Sequence, residues 1–348
     1  MKIIVDAMGG DNAPLAPVQG ALEAHKRHGI EILLVGRTAD ILRCVEECGE
    51  ETLPKGVEIR DASEVVEICD DPATAFKVKK DSSLTVGLNL LKDGQGDAFV
   101  SAGSTGALLA RATLLVKRIR GLRRAAMGPL VPVFGGRAVL CDCGANAECT
   151  PEYLLQFAYL GSFYAKRVLN VERPRVGMLN IGAEETKGDT LRRETHALLM
   201  EAHEVGRINY IGSIEANDAA MGGADVIVAD GFSGNVFLKT LEGAAKFMMQ
   251  ELKKVFYTSG KTKVGAMLIK KEMAEMKKML DPSEVGGTAF LGISKPVIKA
   301  HGSSDARAIT NAILRAKEYA ESGFIADVEA NVAAMKVERV REKEEGNM

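Results

Sequence analysis

A short polar turn within residues 224–243, ADVIVADGFSGNVFLKTLEG, has the residue types to hold an anion and act on it. The segment predicts a buried strand over residues 225–229, a turn over 230–234 and a helix from Asn235 onward. In a parallel α/β sheet, ligands bind beyond the carboxyl ends of strands, where helix N-termini present N–H groups to an anion. We therefore expect the chemical centre at this turn, on Asp230, Ser233, Gly234 and Asn235.

Further turns of glycine and small polar residues each follow a predicted strand. Glycine lets the backbone approach a ligand closely, and Ser or Thr at such a turn either caps the next helix or binds phosphate. Lys187, beside a glycine, is either a phosphate ligand or an ordinary exposed lysine, and His301 is either a ligand contact or a structural histidine. The other candidates for an anion site are Asp6, Gly9, Gly10, Asp11, Ser104, Thr105, Gly302 and Ser303.

Alternating strand and helix patterns must position these turns, and they indicate an α/β fold with a mostly parallel sheet. We treat residues 1–348 as a single α/β domain. The predicted strands cover 2–5, 31–35, 57–60, 97–101, 138–142, 175–180, 225–229, 289–291 and 296–300. The predicted helices cover 15–28, 37–48, part of 70–94 with a start signal at Asp71-Pro72, 150–169, 189–202, 235–256, 266–280, 306–319 and 323–341.

Two of these helices predict a hairpin over residues 235–281. Its apolar stripes require a partner, and a helix bundle across a dimer interface is the economical explanation. The tip interleaves lysines with large apolar side chains, which is the composition of an interfacial membrane contact. Both interpretations stay open for the tip residues Phe256, Tyr257, Val264, Met267 and Leu268.

The segment KRIRGLRR concentrates positive charge between the predicted strands at 97–101 and 138–142. Because the whole chain is nearly neutral, this cluster is either a solvated loop or a docking patch for an acidic partner. Its basic residues are Lys117, Arg118, Arg120, Arg123 and Arg124.

Composition excludes several classes of protein. With 45 Lys+Arg against 47 Asp+Glu, the net charge of −2 argues against a nucleic-acid-binding surface. The six cysteines lack metal-ligand spacing, so we expect buried thiols in a reducing cytoplasm and no metal. No run of about 18 uncharged apolar residues predicts a spanning helix, which leaves attachment to a membrane surface open.

The motifs taken together resemble bacterial phosphate acyltransferases of the PlsX family across nearly the whole chain. The matching segments are DAMGGDNAP, SAGSTGA, NIGAEETKG, ADGFSGNV and AHGSSDA, in the order and spacing of the family. The resemblance implies transfer of a long-chain fatty acyl group from acyl carrier protein, or acyl-CoA, onto inorganic phosphate. The product would be acyl phosphate for phospholipid synthesis by a glycerol-phosphate acyltransferase.

The same resemblance implies a three-layer α/β/α fold related to phosphotransacetylases and isopropylmalate dehydrogenases. It also implies a homodimer that acts in the cytoplasm at the inner face of the membrane, without a cofactor. In this interpretation, the basic cluster at residues 117–124 docks the acidic acyl carrier protein. The hairpin tip supplies the membrane contact.

Phosphate near neutral pH is already an anion, so attack on a thioester requires positioning more than a strong base. We expect Asp230 to orient Lys187 or to accept a hydrogen bond from phosphate, unless it only caps its helix. We expect Asn235 and backbone N–H groups at residues 233–235 to stabilise the oxyanion.

Two classes of rival function remain. One is another enzyme of this architecture, such as a short-chain phosphotransacetylase or a nicotinamide-dependent hydroxy-acid dehydrogenase, although no GxGxxG follows the first strand. The other is a membrane-associated scaffold or sensor that binds an anion without turning it over.

Overall fold

The computed structural model describes residues 1–67, 70, 78–281, 284 and 286–335. Within these residues the strands form two sheets, and most neighbouring strands run parallel. The predicted α/β fold with mostly parallel strands is therefore confirmed, with the strands divided between two sheets.

The larger sheet has seven strands in the order β3-β2-β1-β4-β12-β11-β5. Strands β1 to β4 and β12 run parallel, while β11 is antiparallel to both β12 and β5. The strands are β1 Lys2–Asp6, β2 Glu31–Gly36, β3 Val57–Asp61, β4 Ala98–Ser101, β5 Ala126–Gly128, β11 Thr288–Leu291 and β12 Val297–Lys299.

The smaller sheet has five strands in the order β6-β7-β10-β8-β9. Only its edge strand β6 is antiparallel, to β7. The strands are β6 Leu130–Val133, β7 Gly136–Cys141, β8 Arg175–Leu179, β9 Asn209–Ile214 and β10 Val226–Val228. Pro129 alone separates β5 from β6, so the chain passes directly from one sheet to the other.

Helices cover the sheets and connect the parallel strands. The helices that the structure describes before the hairpin are α1 Leu15–His28, α2 Thr38–Glu47, α3 Ser83–Lys92, α4 Thr105–Arg111, α5 Pro151–Val168, α6 Thr190–Glu204 and α7 Ala216–Ala220. The hairpin contains α8 Gly231–Tyr257, α9 Gly260–Leu268 and α10 Lys270–Leu280, and the chain continues into α11 Ala306–Glu321 and α12 Phe324–Asn331.

One apolar core extends through both sheets. Tyr164 of α5, Tyr319 of α11 and Phe324 of α12 join the two halves, with ring centroids 5.4 to 5.7 Å apart. A Cβ on Gly20 would lie 2.7 Å from the Cβ of Ile309, so this glycine allows α1 to pack closely on α11. The two sheets are thus held against each other by buried aromatic and aliphatic side chains.

The predicted strands and most predicted helices are present within one to three residues of their expected ends. Three strands had no counterpart in the sequence prediction: β5, β6 and β9. The Asp71-Pro72 start signal lies outside the described residues, and the described helix of that region, α3, is shorter than residues 70–94. The last predicted helix is described as α12 and a short 3₁₀ turn, Val332–Met335, and its remainder lies outside the described residues.

The hairpin differs from the prediction at two points. Its first helix begins at Gly231, four residues before the expected start, because Asp230 rather than a later residue caps it. Its second arm consists of α9 and α10, separated at Ile269, rather than one helix over residues 266–280. Ser259 and Thr262 form a capping box that begins α9 well before Ala266.

None of the helices in the described part of the chain is both long and apolar enough to cross a membrane.

Candidate active site

Loops at the carboxyl ends of parallel strands carry the residues expected to do chemistry. In the larger sheet they follow β1, β4 and β12, and we call residues 7–14, 102–104 and 300–305 the first wall. In the smaller sheet they follow β7, β8 and β10, and we call residues 142–149, 180–189 and 229–235 the second wall.

The first wall is built on the buried carboxylate of Asp6, at the end of β1. Its Oδ2 accepts a hydrogen bond from Ser101 Oγ at 2.7 Å, and its Oδ1 accepts one from the Met8 N–H at 3.1 Å. Burial raises the pKa of Asp6, and these hydrogen bonds oppose that rise. Since Ser101 ends β4, the Asp6 side chain ties the β1 loop to the β4 loop.

The glycines of the first wall let its three loops pack on one another. A Cβ on Gly9 would lie 2.6 Å from Asp6 Oδ2 and 2.8 Å from the Gly103 nitrogen. Gly10 has φ +103°, and a Cβ there would lie 3.0 Å from the carbonyl oxygen of Gly302. The Asp11 N–H donates to the same carbonyl oxygen at 2.8 Å. Close approach of neighbouring loops therefore explains both glycines without a ligand.

The polar residues predicted for phosphate in this wall are held near their own loops. Ser104 is the N-cap of α4, and its Oγ accepts the Ala107 N–H at 3.5 Å, while Thr105 begins that helix. His301 Nδ1 lies 2.9 Å from Ser303 Oγ. The geometry brings the candidates at residues 6–11 and 301–303 together, with Ser104 in the adjoining loop.

Lys299 was not predicted from the sequence, and it is the buried cation of the first wall. Only 7% of this residue is exposed. Its Nζ donates to the carbonyl oxygen of Ala102 at 3.3 Å and to that of Ala300. The sequence signal was a lysine in the apolar strand PVIKA directly before the glycine turn.

The second wall centres on Asp230, the N-cap of α8. Its Oδ1 accepts the Ser233 N–H at 2.9 Å, and its Oδ2 accepts a hydrogen bond from the guanidinium of Arg192. Burial acts to raise the pKa of Asp230, but the hydrogen bonds from Ser233 and the charge of Arg192 outweigh it, and the pKa is lowered. The expected pairing of Asp230 with Lys187 is therefore wrong, because Arg192 holds the carboxylate.

The expected oxyanion donors at the start of α8 are also wrong in part. The helix begins at Gly231, so the Ser233 N–H is bonded to the Asp230 side chain and the Gly234 N–H to the Asp230 carbonyl oxygen, at 2.9 Å each. Neither N–H is available to a substrate in this arrangement. The Asn235 side chain is left as the donor from this turn, and it is exposed next to Gly144, where a Cβ would lie 3.8 Å from Asn235 Oδ1.

Arg192 joins the N-termini of two helices. Its Nη2 lies 2.9 Å from Ser233 Oγ, at the start of α8. Its Nη1 donates to Asp189 Oδ2 at 2.8 Å. The backbone N–H of Arg192 donates to Asp189 Oδ1 at 2.9 Å, which makes Asp189 the N-cap of α6. In the sequence, Arg192 follows the capping Asp189 by three residues, and this spacing could have indicated their contact. The contact with Asp230 joins residues 38 positions apart, so no local pattern indicates it.

Lys187 lies on the loop between β8 and α6, and its side chain is exposed. The Asn180 side chain donates to the Lys187 carbonyl oxygen at 3.2 Å, which fixes the backbone of the loop. Lys187 lies three residues before α6, which begins at Thr190 and carries Arg192.

Asp142 is a fully buried carboxylate behind the second wall, at the end of β7. It accepts N–H donors from Met127 and Cys143 at 2.8 Å and from Asn146 at 2.7 Å. Burial raises the pKa of Asp142 to about 6 against these hydrogen bonds. Since Met127 lies on β5 and the Gly231 N–H donates to Asn146 O at 2.7 Å, Asp142 connects the larger sheet to the start of α8.

Lys239 of helix α8 acts electrostatically on both walls. Partial burial and the positive charge of Lys239, on this helix, lower the pKa of His301 in the first wall. In the second wall, burial raises the pKa of Cys143, and Lys239 opposes that rise. The charge of Lys239 therefore acts on one group of each wall. No group of three His, Cys, Asp or Glu side chains suited to a metal ion occurs among the described residues.

Comparison with known proteins assigns the family. A family described as "Fatty acid synthesis protein" matches residues 1–327. A phosphate acyltransferase of Acetivibrio thermocellus is 42% identical over 343 residues, 98% of this chain and 99% of that protein. This chain belongs to the phosphate acyltransferase family. Another member, from Desulfitobacterium hafniense, is 45% identical over 329 residues, 94% of this chain and 96% of its own length.

A solved phosphotransacetylase of Streptococcus pyogenes superposes with a TM-score of 0.64 at 17% sequence identity. The match covers 92% of this chain and 94% of the phosphotransacetylase. It supports the predicted relation of the fold to phosphotransacetylases, and at this identity it indicates the fold alone.

The basic cluster at residues 117–124 of this family member is a surface loop, with Gly121 at φ +107°. Lys117, Arg120, Arg123 and Arg124 are exposed, and Arg118 is half-buried. Arg123 forms an ion pair with Glu152 at 3.2 Å, and Arg124 lies 5.5 Å from the centre of the Tyr153 ring. The start of α5 therefore fixes one end of the loop and partly neutralises its charge.

The hairpin of this family member presents large apolar side chains to solvent. Leu268 is 79% exposed, and the other exposed tip residues are Val255 58%, Tyr257 64%, Val264 53% and Met267 67%. Phe256 is half-buried. Along α8, only Gly231, Gly234 and Phe237 are buried. Exposed apolar surface of this extent is typical of an interaction site.

Proposed function

We propose that this chain transfers an acyl group from a thioester to inorganic phosphate and releases acyl phosphate. The near-full-length identity with curated phosphate acyltransferases carries the proposal. The positive charges of Arg192 and Lys187 beside the small polar turn of the second wall support it, because phosphate binding requires cationic groups around a small polar site.

The reaction forms one bond and breaks one bond at the acyl carbon. A phosphate oxygen attacks the thioester carbonyl, the C–S bond breaks, and the sulfur leaves as a thiolate. A thiol of pKa about 8.5 is a good leaving group, so the protein's main task is to position phosphate and to stabilise the oxyanion.

Asp230 acts in this proposal as a positioning residue and not as the general base. A carboxylate whose pKa is lowered by Ser233 and Arg192 is a weak base at neutral pH. Its ion pair holds the Arg192 guanidinium at the start of α8, where a phosphate oxygen would meet it. The exposed Lys187 adds a second positive charge, and the Asn235 amide donates to the oxyanion.

The remaining anion contacts are proposed for the first wall. Asp6, Gly9, Gly10 and Asp11 shape the loop after β1. The side chains of Ser104, Thr105, His301 and Ser303 and the backbone at Gly302 line the neighbouring loops. Their arrangement supports a role in holding phosphate or the acyl phosphate product opposite Arg192.

For the donor, we propose a long-chain acyl group on acyl carrier protein, with acyl-CoA as the alternative. The exposed positive charges of the loop at residues 117–124 suit an acidic carrier protein. The half of the loop nearer Lys117 carries the charge that Glu152 does not neutralise, so we expect the carrier to meet Lys117 and Arg120 as well as Arg124.

We propose further that the chain is a homodimer associated with the inner face of the cytoplasmic membrane. The lower part of α8 supports a dimer interface, and the lysine-flanked tip formed by Phe256, Tyr257, Val264, Met267 and Leu268 supports the membrane contact. A position at the membrane would deliver acyl phosphate to a glycerol-phosphate acyltransferase there.

One assay tests the reaction. Purified protein is incubated with long-chain acyl carrier protein and phosphate, and acyl phosphate is trapped with hydroxylamine. We expect a hydroxamate that requires phosphate. A hydroxamate formed only from short-chain acyl-CoA would favour the phosphotransacetylase-like alternative, and no hydroxamate from any donor would favour a non-catalytic anion-binding scaffold.

A further inference from the structure

Lys299 is a buried lysine in the middle of the larger sheet. Its strand, β12, lies between β4 and β11, and Lys299 is paired in register with Ser101 of β4. A lysine is almost never fully buried unless its charge is compensated, because desolvating an ammonium costs several kcal/mol. The contacts that compensate Lys299 therefore indicate why a charge is placed there.

The compensation comes from backbone oxygens and from distant carboxylates. Nζ donates to the carbonyl oxygens of Ala102 and Ala300, which uses two of the three donors of an ammonium. The negative charges of Asp6 and Asp11 face the ammonium. Among the carboxylates that the structure describes, none lies within 4.0 Å of Nζ, so Lys299 forms no direct ion pair there.

Both carbonyl oxygens belong to loops of the first wall. Ala102 lies between Ser101, which donates to Asp6, and Gly103, whose N–H donates to Ser101 Oγ at 3.0 Å. Ala300 directly precedes His301. One ammonium therefore contacts the loops after β4 and β12 and compensates the carboxylates of β1 and its loop.

We propose that Lys299 is a positioning residue that holds the three loops of the first wall in the geometry the reaction requires. The proposal rests on the function proposed above. Lys299 does not contact the reacting groups, and its role is to fix the loops of the first wall. Lys299 itself is too buried to be a main contact for phosphate.

The stability and activity of a variant that lacks the charge distinguish a positioning role from a role in packing. Replacing a whole buried ion pair by apolar side chains is often neutral or stabilising, whereas removing one member of a direct pair is strongly destabilising because the other charge stays uncompensated. Lys299 forms no direct ion pair among the described residues, so Lys299→Met should still fold, with a loss of stability because the carbonyl oxygens of Ala102 and Ala300 lose a donor. A residue that served only packing would be replaced by Met without loss of activity.

The ammonium also gives the role a pH signature. Burial lowers the pKa of Lys299 to about 8, and the charges of Asp11 and Asp6 oppose this. His301, in the loop after β12, faces the Lys299 ammonium. The charge of the buried Arg111, at the end of α4, faces the carboxylate of Asp6. As pH rises through about 8, Lys299 loses its charge, and the loops lose their common partner. Arginine stays charged in this range, so Lys299→Arg should keep its activity at higher pH.

The test compares Lys299→Met, Lys299→Arg and the control Lys295→Met, which removes a half-buried lysine just before β12. We expect Lys299→Met to lower kcat by about 100-fold, because misplaced loops misalign the reacting groups. The KM for the acyl donor should stay within about threefold of the wild-type value. Lys299→Arg should recover most of kcat and lack the loss of rate above about pH 8.

Hydrogen exchange provides a second measurement that needs no activity. We expect Lys299→Met to exchange faster than wild type over residues 7–13, 102–106 and 300–304 together, while Lys295→Met leaves all three loops unchanged. If the wild type yields no hydroxamate, the proposed function fails, and the exchange result still decides the role of Lys299. Wild-type kcat in Lys299→Met, or unchanged exchange in the three loops, would overturn the proposal.

Discussion

The guanidinium of Arg192 donates a hydrogen bond to the carboxylate of Asp230, and this ion pair joins the N-terminus of α6 to that of α8. Its two side chains are 14% and 7% exposed. Removing one partner of a pair this buried leaves the other charge uncompensated. The pair therefore fixes the orientation of the Arg192 guanidinium at the second wall.

Replacing Arg192 by lysine should lower kcat/KM by about 100-fold, because an ammonium lacks the planar fork of donors with which the guanidinium holds Asp189, Ser233 and Asp230. Steady-state kinetics with the hydroxylamine trap measure this. Arg207→Lys, near the other end of α6, is the control and should behave as wild type. Asp230→Asn keeps the helix cap but loses the charge, so its near-normal turnover would remove Asp230 from the mechanism.

The strands and helices that have a regular local sequence pattern could be predicted. Helix α1 was predicted because its segment follows a strand and a glycine turn, in the alternating pattern of the whole chain. Strand β5 has three residues, AMG, and β9 carries an irregular register between Val176 and Met178 of its partner strand. Segments this short or irregular have little periodicity, so they gave no strand signal.

The candidate site was predictable loop by loop but not contact by contact. Glycine turns after strands indicated where the walls lie. Periodicity carries no information about which distant residues meet, so the contacts of Arg192 with Asp230 and of Lys299 with Ala102 were not foreseen. The expected partner of Asp230 was wrong for the same reason, since Lys187 and Arg192 lie on adjoining turns with similar charge.

Lys187 is predicted to govern the response to phosphate. Its exposed ammonium adds a charge without shaping the fold, so Lys187→Ala should raise the KM for phosphate by about tenfold and leave the thermal midpoint unchanged. Titrating phosphate at saturating acyl donor measures this. Lys166→Ala, an exposed lysine at the end of α5, is the control. An unchanged phosphate dependence in Lys187→Ala would defeat the assignment.

Asp142 is predicted to stabilise the fold as pH falls from about 7.5 to about 5. Its pKa rises from an ordinary 3.8 to about 6 in the folded protein. A carboxyl with a raised folded pKa contributes stability when protonated, and this contribution is lost as pH rises through about 6. Over this range the wild type should gain about 1.4 kcal/mol of unfolding free energy relative to Asp142→Asn.

Denaturant unfolding at both pH values measures the Asp142 effect. Asp225→Asn is the control: burial acts to raise the pKa of Asp225, but hydrogen bonds from Arg175 outweigh it and lower the pKa. Asp225 therefore stays ionised throughout the range. A difference between wild type and Asp142→Asn that does not grow at lower pH would contradict the assignment.

The loop at residues 117–124 is predicted to speed association with an acidic carrier protein. Replacing Arg120 and Arg124 by Glu should lower the association rate about tenfold at low salt and much less at high salt, because screening removes long-range attraction. Stopped-flow mixing with acyl carrier protein measures this rate. Reversal of Lys166 and Arg173, exposed elsewhere, is the control. An unaltered rate would move the docking site away from this loop.

The hairpin tip is predicted to bind membranes while the lower part of α8 forms the dimer. Phe256→Glu with Leu268→Glu places two carboxylates among lysine-flanked apolar side chains, so binding to anionic vesicles should be lost. Val205→Glu, at a 60% exposed apolar position at the end of α6, is the control. Vesicle flotation and sedimentation of the same samples separate the two roles. A double variant that becomes monomeric would mean that the tip packs against the partner subunit, and the exposed apolar surface would then belong to the dimer.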